Sequence, residues 1–427
     1  MRRAFTRFSF RFILVASCAD CGLAQTAQTW AQVRDRFVAA NPTLKAGRIG
    51  IDEFRAAEIT AFLRPNPDLT GTIDQLNPFS TQPPPSGTGG DSYRPFAFAL
   101  PSSSLSYLHE RRHKRELRLE SAREATAVGT SQLADQERTL LFTLRSAFVQ
   151  VLQQKAILAL AEENLSYYDQ VLKLSRDRRQ LGDIAQVDLE RLEVQRVQYE
   201  TDLQTAKVNL RTAKIQLLML LNERTPVEQF EVAGPYDFPE RIPPLEQFRK
   251  IALENRPDLK AAVQSIEKAK TDHRLAVANG STDPTFSANF ARNPPIPVYM
   301  GLSVSVPLRI FDRNQGEKAR TQLDIGRNER LRDATEAQIF NDVDSAYATI
   351  ESNLILLKAY KESYLGRALR VRDTVLFSYQ RGGASLIDFL LAQQDYRSVR
   401  LNYATLVGAY LTAAAQLNLA VGREVIL

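Results

Sequence analysis

Two stretches of the chain space their apolar side chains alternately four and three residues apart. In the first these are Tyr199, Leu203, Ala206, Leu210, Ala213, Leu217 and Leu220; in the second, Val399, Tyr403, Leu406, Tyr410, Ala413, Leu417 and Ala420. That spacing predicts helices packed as coiled coils, over about 186–222 and 386–421. Ahead of each lies a longer, more polar helical pattern, over about 116–180 and 315–380. At 1.5 Å of rise per residue, each long helix reaches about 95 Å. A single globular domain has no use for such lengths, so they predict a coiled coil, a solenoid or a tube.

Further upstream the period changes to two. Leu69, Gly71 and Ile73 alternate with Thr70, Thr72 and Asp74, and a second strand is expected from Pro95 to Leu108. Phe286, Ala288 and Phe290 alternate with Thr285, Ser287 and Asn289; Met300, Leu302, Val304 and Val306 alternate with Gly301, Ser303 and Ser305. The first pair is joined by a loop containing Pro83-Pro84-Pro85 and Gly89-Gly90, the second by Asn293-Pro294-Pro295-Ile296-Pro297. These read as β-hairpins over about 68–108 and 284–308. Strands of about 8 to 13 residues, apolar on one face and small and polar on the other, fit a membrane barrel wall. They equally fit two amphipathic hairpins covering a soluble core.

The pattern is a duplication. Gly182 and Asp188 recur as Gly382 and Asp388, Ser146-Ala147-Phe148 as Ser345-Ala346-Tyr347, and Asn41-Pro42-Thr43-Leu44 as Arg256-Pro257-Asp258-Leu259. Each copy runs short helix, longer helix, strand, loop, strand, very long helix, turn, long helix. The expected division is an export segment at 1–24, repeat one at 25–234 and repeat two at 235–427.

Composition narrows the classes. With 44% hydrophobic and 24% charged residues the chain is neither disordered nor a typical helical membrane protein. No run reads as the roughly 20 apolar residues that span a bilayer; Leu406 to Gly422 comes nearest but carries Gln416 and Asn418. Arg2, Arg3, Arg7 and Arg11 precede a short apolar core at Phe12 to Ala16, and Gly22-Leu23-Ala24 offers a cleavage site. Both cysteines, Cys18 and Cys21, lie in that segment, and Val15-Ala16-Ser17-Cys18 loosely resembles a lipobox. Cleavage after Ala24 leaves no thiol. It also removes four Arg against Asp20, taking the net charge from +6 to +3. No basic patch interleaved with aromatics points to nucleic acid.

This layout resembles the TolC-like outer-membrane efflux proteins. The most specific stretch, Pro307-Leu308-Arg309-Ile310-Phe311-Asp312-Arg313-Asn314-Gln315-Gly316, resembles the strand-to-helix junction of the heavy-metal branch. Tyr379-Gln380-Arg381-Gly382 with Ser385 and Asp388 resembles the periplasmic helix turn, with Gly182, Ala185 and Asp188 as its copy-one counterpart. The resemblance implies a mainly helical fold with a small β part. Three protomers would form a twelve-stranded β-barrel joined to a long α-helical barrel. It further implies a passive duct in the outer-membrane lipid with a periplasmic extension, no cofactor, and partnership with a periplasmic adaptor and an inner-membrane pump.

Positive φ is expected at Gly182 and at Gly382-Gly383, where the chain must reverse. Asp188 and Asp388 fall in the first turn of the returning helices. There they either complement the helix dipole or form a carboxylate ring at the pore constriction. An acid carried by some relatives would fall near Leu391. The tip residues Arg179, Leu181, Gly182, Arg381, Gly382, Gly383 and Ser385 are candidates for the turn and adaptor contact. Pro307, Phe311, Asp312, Arg313 and Gly316 are candidates for the strand–helix junction.

One motif points elsewhere. His109-Glu110-Arg111-Arg112-His113 has the H-E-x-x-H form of zinc proteases, which on a helix aligns two imidazoles beside a general base. Four neighbouring cations and the lack of an evident third ligand argue against it. The phosphate-binding and nucleophile-elbow patterns are absent from the sequence. A secreted or periplasmic structural coiled-coil protein is the remaining alternative.

Overall fold

A computed structural model describes residues 27–76, 78–79, 81–82, 92–93, 95–96, 99–293 and 295–426. The export segment with Cys18 and Cys21, the Pro83–Pro85 and Gly89–Gly90 loop segments and Pro294 lie outside the described residues. The first copy contributes α1 (Trp30–Ala40), α2 (Pro42–Ala61), β1 (Asp68–Asp74), the two-residue strands β2 (Thr81–Gln82) and β3 (Ser92–Tyr93), β4 (Leu100–Leu108), α3 (Lys114–Gln180) and α4 (Gln186–Leu220). The second contributes α5 (Leu245–Asn255), α6 (Pro257–Asn279), β5 (Thr285–Asn293), β6 (Ile296–Ser305), α7 (Gln315–Ala359), α8 (Leu365–Gln380) and α9 (Leu386–Val421).

Local chemistry sets these boundaries. Pro42 and Pro257 open α2 and α6, where a helix has no partner for the missing N–H. Asn41 caps α2 by accepting from the Leu44 amide at 3.1 Å. The expected strand from Pro95 begins instead at Leu100, because Pro95 and Phe96 sit in a turn and proline donates nothing to a ladder. Ile296, expected in the second hairpin turn, is already in β6 and pairs with Asn293 across an irregularity at Ala291/Asn293. The long helix of repeat two is interrupted by one π-helical turn, Tyr360–Tyr364, whereas α3 runs through without one.

The sheet order is β1–β4–β5–β6, all antiparallel, so the two hairpins join through β4 and β5. The register lines up side chains of one kind across all four strands. Leu69, Leu105, Ala288 and Leu302 form one row, and Thr70, Ser104, Asn289 and Gly301 the next. Thr72 and Ser102 hydroxyls bond at 2.5 Å on the polar face. The apolar face covers nothing: Leu69 and Leu302 are each 77% exposed. The soluble-core reading of the hairpins therefore fails.

The helices form one layer beneath the sheet. Toward the sheet its order is α2–α3–α6–α7; toward the far tip it is α4–α3–α9–α7/α8. α1 lies across α3, and α5 across α7 and α9. Three apolar cores hold the layer. One centres on Phe37, Phe148, Leu217 and Phe230, a second on Phe248, Ile350, Tyr410 and Leu417, and a third near the tip on Tyr168, Leu192 and Phe389. α9 is long and apolar enough to cross a bilayer, but 56% of its apolar window is buried in the protomer. Its heptad face packs against α3 and α7, which is why the chain shows such a run where none was expected.

A buried cation ties the second repeat together. Arg256, at the position that Asn41 holds in copy one, is buried and meets Asp258 at 2.6 Å and Asp342 at 2.7 Å, and also donates to the Ala420 carbonyl. It therefore joins the start of α6 and the end of α9 to α7. Arg256→Ala leaves Asp342 without its cation and Asp258 with only the longer Arg138 contact at 4.0 Å, which costs about 3 kcal/mol. We expect that loss in urea or thermal unfolding, with Asp342→Asn costing less because Asp258 remains paired.

Candidate functional site

The tip is built from two copies of one turn. After α3, Leu181 caps the helix, Gly182 takes φ +85, and Gly182 and Asp183 amides donate to the Arg179 and Arg178 carbonyls at 3.0 and 2.9 Å. After α8, Gly382 takes φ +77, and Gly382 and Gly383 amides donate to Tyr379 and Ser378 carbonyls at 3.1 and 2.8 Å. Both are Schellman turns, in which the left-handed residue lets two orphan carbonyls be satisfied. Gly383 does not share the positive φ expected of the Gly382-Gly383 pair. Its side of the turn is tight instead, since an added Cβ would lie 2.9 Å from Ser378 Oγ.

The two returning helices start differently. Ser385 and Asp388 form a complete capping box. The Asp388 amide donates to Ser385 Oγ at 3.1 Å, and the Ser385 amide and hydroxyl donate to Asp388 Oδ2 at 3.0 and 2.7 Å. The Ser385 hydroxyl first, and its amide second, hold the Asp388 carboxyl below its ordinary value of 3.8. Ala185 in copy one supplies no cap, and Asp188 lies 3.8 Å from Arg191. Asp388 is thus fixed by hydrogen bonds, while Asp188 has a weaker partner one turn on. Leu391, further along the first turns of α9, is exposed.

Aromatic stacking locks each hairpin just behind its turn, and a cation–π contact, Arg178 with Tyr379, links the two. Tyr379 stacks on Phe389 at 5.5 Å, and the Arg178 guanidinium lies 5.7 Å from the Tyr379 ring. Tyr168 stacks on Tyr199 at 4.4 Å and donates to the Leu192 carbonyl. The outermost groups stay free of this core. Leu181 is 78% exposed; Arg179 straps its own turn by donating to Gln186 Oε1 at 3.2 Å; Arg381 lies over Phe377 at 4.1 Å.

At the opposite end of the long helices, both strand-to-helix junctions use left-handed residues: Arg112 and His113 before α3, Asn314 before α7. Asn314 is held by its own amide on Asp312 Oδ1 and its side chain on the Ala276 carbonyl, each at 2.8 Å. Arg313 donates its amide to Gln315 Oε1 at 2.8 Å. Pro307, Asp312 and Gly316 are exposed around it, and Phe311 is 90% exposed.

The H-E-x-x-H segment belongs to the first junction and not to a helix. His109 ends the β4 side, where its amide donates to Pro284, and His113 is the exposed residue before α3. Both Glu110 oxygens face Arg118, one at 2.8 Å. The zinc-protease arrangement expected on a helical face is absent, and among the described residues no cluster of ligating side chains gathers.

Sequence reasoning missed the knot that closes this junction. Lys114, buried at the start of α3, meets Asp283 Oδ2 at 2.5 Å; the Arg111 amide donates to Asp283 Oδ1 at 3.0 Å and its side chain to Thr282. Burial alone pushes the Asp283 carboxyl up, yet Lys114 and the Arg111 amide outweigh it and hold it below its ordinary value. An aspartate 169 residues along the chain from its lysine gives no local signal.

Residues 249–423 match the family described as outer membrane efflux protein. The cobalt-zinc-cadmium resistance protein CzcC of Cupriavidus metallidurans is 25% identical over 322 residues, covering 73% of this chain and 74% of its own. The outer membrane protein TolC of Escherichia coli is 23% identical over 297 residues, covering 62% and 59%. Among solved structures, CusC superposes with a TM-score of 0.76 at 16% identity over 92% of each chain. The open state of Neisseria gonorrhoeae MtrE superposes at 0.71 and 17%, over 92% and 89%. These structures share the fold.

The tip geometry sets two measurable outcomes. Gly382→Ala places a Cβ in the left-handed region, at about 1–2 kcal/mol, and should speed amide exchange around residues 378–386 with little change elsewhere. The Asp388 box behaves as a depressed carboxylate must: its contribution is full above 3.8 and disappears as pH falls through the lower folded value. The protection factor of the Ser385 amide, which donates to the carboxylate, should therefore fall only on acidification through that value, and Asp388→Asn should remove the pH dependence.

Proposed function

We propose that this chain, whose second repeat matches the outer membrane efflux protein family, works as the outer-membrane channel of a tripartite efflux system. It is a passive exit duct from periplasm to outside, assembled as a homotrimer. One observation supports a closed ring, with the number three taken from the resemblance: each layer of the protomer ends in the same two open sides. The sheet stops at β1 and β6, and the helices stop at α2 and α4 on one side and α7 and α8 on the other.

Both sides carry unpartnered apolar residues. Ile59, Val194 and Val208 are 69%, 73% and 62% exposed on one; Leu323, Ile355 and Val371 are 75%, 64% and 54% exposed on the other. Two different complementary sides make a head-to-tail contact, and such a contact closes a ring when the rotation allows. Three copies of a four-stranded sheet give the twelve-stranded barrel. The apolar sheet face then meets outer-membrane lipid and the polar face lines a wet lumen. A secreted coiled-coil protein has no use for that apolar face.

In this reading the tips of the two hairpins form the periplasmic constriction. Asp388 and Asp188 present rings of carboxylate there, attracting cations. Leu181, Arg179 and Arg381, with the turn residues Gly182, Gly382, Gly383 and Ser385, form the surface that a periplasmic adaptor grips while an inner-membrane pump supplies the energy. The junction residues Pro307, Phe311, Asp312, Arg313 and Gly316 join barrel to tunnel. Divalent cations are the favoured cargo class, supported by the likeness to a protein named for cobalt, zinc and cadmium resistance.

Purified trimer in a planar bilayer should pass small, cation-selective currents. Asp388→Ala should lower that selectivity more than Asp188→Ala, since Asp388 is the carboxylate held in place. Unchanged selectivity in both variants would remove the gate assignment and leave the duct.

A further inference from the structure

A cavity of about 690 Å³ opens on the seam where the end of α9 and the tail after it meet α1 and α3. It lies in the middle of the helix layer, away from the two open sides, and plays no part in the tip or the junction. Its walls are apolar, with Leu141 and Phe142 from α3, Leu419 from α9 and Ile426 from the tail. Its charged groups are four arginines, Arg34, Arg138, Arg145 and Arg423, against two carboxylates, Glu137 and Glu424. Arg34 is taken up by Asp35 and Glu424, and Arg138 by Asp135 and the Leu419 carbonyl.

Arg145 is different. It makes no ion pair or hydrogen bond among the described residues, and its guanidinium is held instead over Trp30 at 4.6 Å and Phe148 at 5.8 Å. The Trp30 ring is itself fixed, edge-on to Phe148 at 5.6 Å with its Nε1 donating to Glu424 at 2.9 Å. Burial pushes the Arg145 guanidinium down from its ordinary value, opposed by the charge of Glu424 on the same cavity wall. A partly buried guanidinium oriented by stacking, with its donors unused, is a preformed receptor for an anionic group. Apolar walls with a few convergent polar groups are the usual make-up of a small-molecule site of this size.

We infer that this cavity binds a small amphiphilic anion, its head group on Arg145 and its alkyl or ring portion against Leu141, Phe142, Leu419 and Ile426. The shared chemistry is one anionic head on an apolar body of drug-like size; a carboxylate and a phosphate monoester both meet it. The site is independent of the channel reading, because nothing in it depends on what passes through the duct.

The chain holds a single tryptophan, and it is the one that stacks on Arg145. Trp30 emission therefore reports occupancy directly. Assembled protein in nanodiscs of zwitterionic lipid would be titrated with dodecanoate, dodecyl phosphate and the neutral dodecanol. We expect saturable changes with one or both anions, and at least tenfold weaker binding of dodecanol. Arg145→Gln should weaken the anions about tenfold or more without changing single-channel conductance, and Arg145→Lys should recover part of the loss. Equal affinity for dodecanol, an undiminished anion response in Arg145→Gln, or no saturable change in the wild type would each overturn the inference. If Arg145→Gln fails to assemble, the dodecanoate-against-dodecanol comparison in the wild type decides alone.

Discussion

Everything in this protomer follows from edges that it cannot satisfy alone. β1 and β6 each leave a row of backbone donors and acceptors unpaired, and hydrocarbon offers no water to take them up. A sheet whose apolar face is bare must sit in lipid, and a sheet in lipid must close. The helices inherit the same requirement. A layer one helix thick buries one face of α3 and α9 well but leaves α4 and α7/α8 half covered. The long α3 and the α7–α8 helix run the whole length of that layer, so in the proposed ring closing the barrel and closing the tube are one event.

Duplication makes that shared closure possible, and the departures from it are where the two halves acquire different properties. Ser146-Ala147-Phe148 and Gly182 are separated by one residue fewer than Ser345-Ala346-Tyr347 and Gly382. The π turn at Tyr360–Tyr364 lies between those marks, and a π turn is the way a helix absorbs one extra residue without losing its face. Beyond the turn the apolar positions of α8 return to phase with α9. The second difference is Ser385 in place of Ala185, which gives the α9 start a full capping box and leaves α4 without one. The same fold thus carries a firmly fixed carboxylate in one hairpin and a loosely partnered one in the other.

Much of this was legible because it is periodic. The heptads of α4 and α9 and the two-residue alternation of β5 and β6 state which face is apolar, and Gly182 and Gly382 mark the reversals that need positive φ. Less legible were features decided by contacts far apart in the chain. The shift in repeat offset was visible between Phe148 and Gly182, but nothing in the sequence said which turn would widen. The pairing of Lys114 with Asp283 depends on two junctions meeting. The H-E-x-x-H spacing suggested a helix face, yet Arg112 and His113 adopt left-handed backbone that turns the chain from strand into α3. Arg145 gives no signal in the sequence because its partner is a ring and not a charge.

The proposed ring requires the two open sides of one protomer to meet those of its neighbours, and cross-linking across them tests this most directly. Val187 on α4 and Phe377 on α8 lie equally far along the chain from Gly182 and Gly382, and both are exposed, at 55% and 54%. With Val187→Cys and Phe377→Cys in one chain, a short bifunctional maleimide should convert membrane-extracted protein into covalent trimers, and either single variant should yield none. Cross-links confined within one chain, or ladders running beyond three copies, would contradict the closed ring.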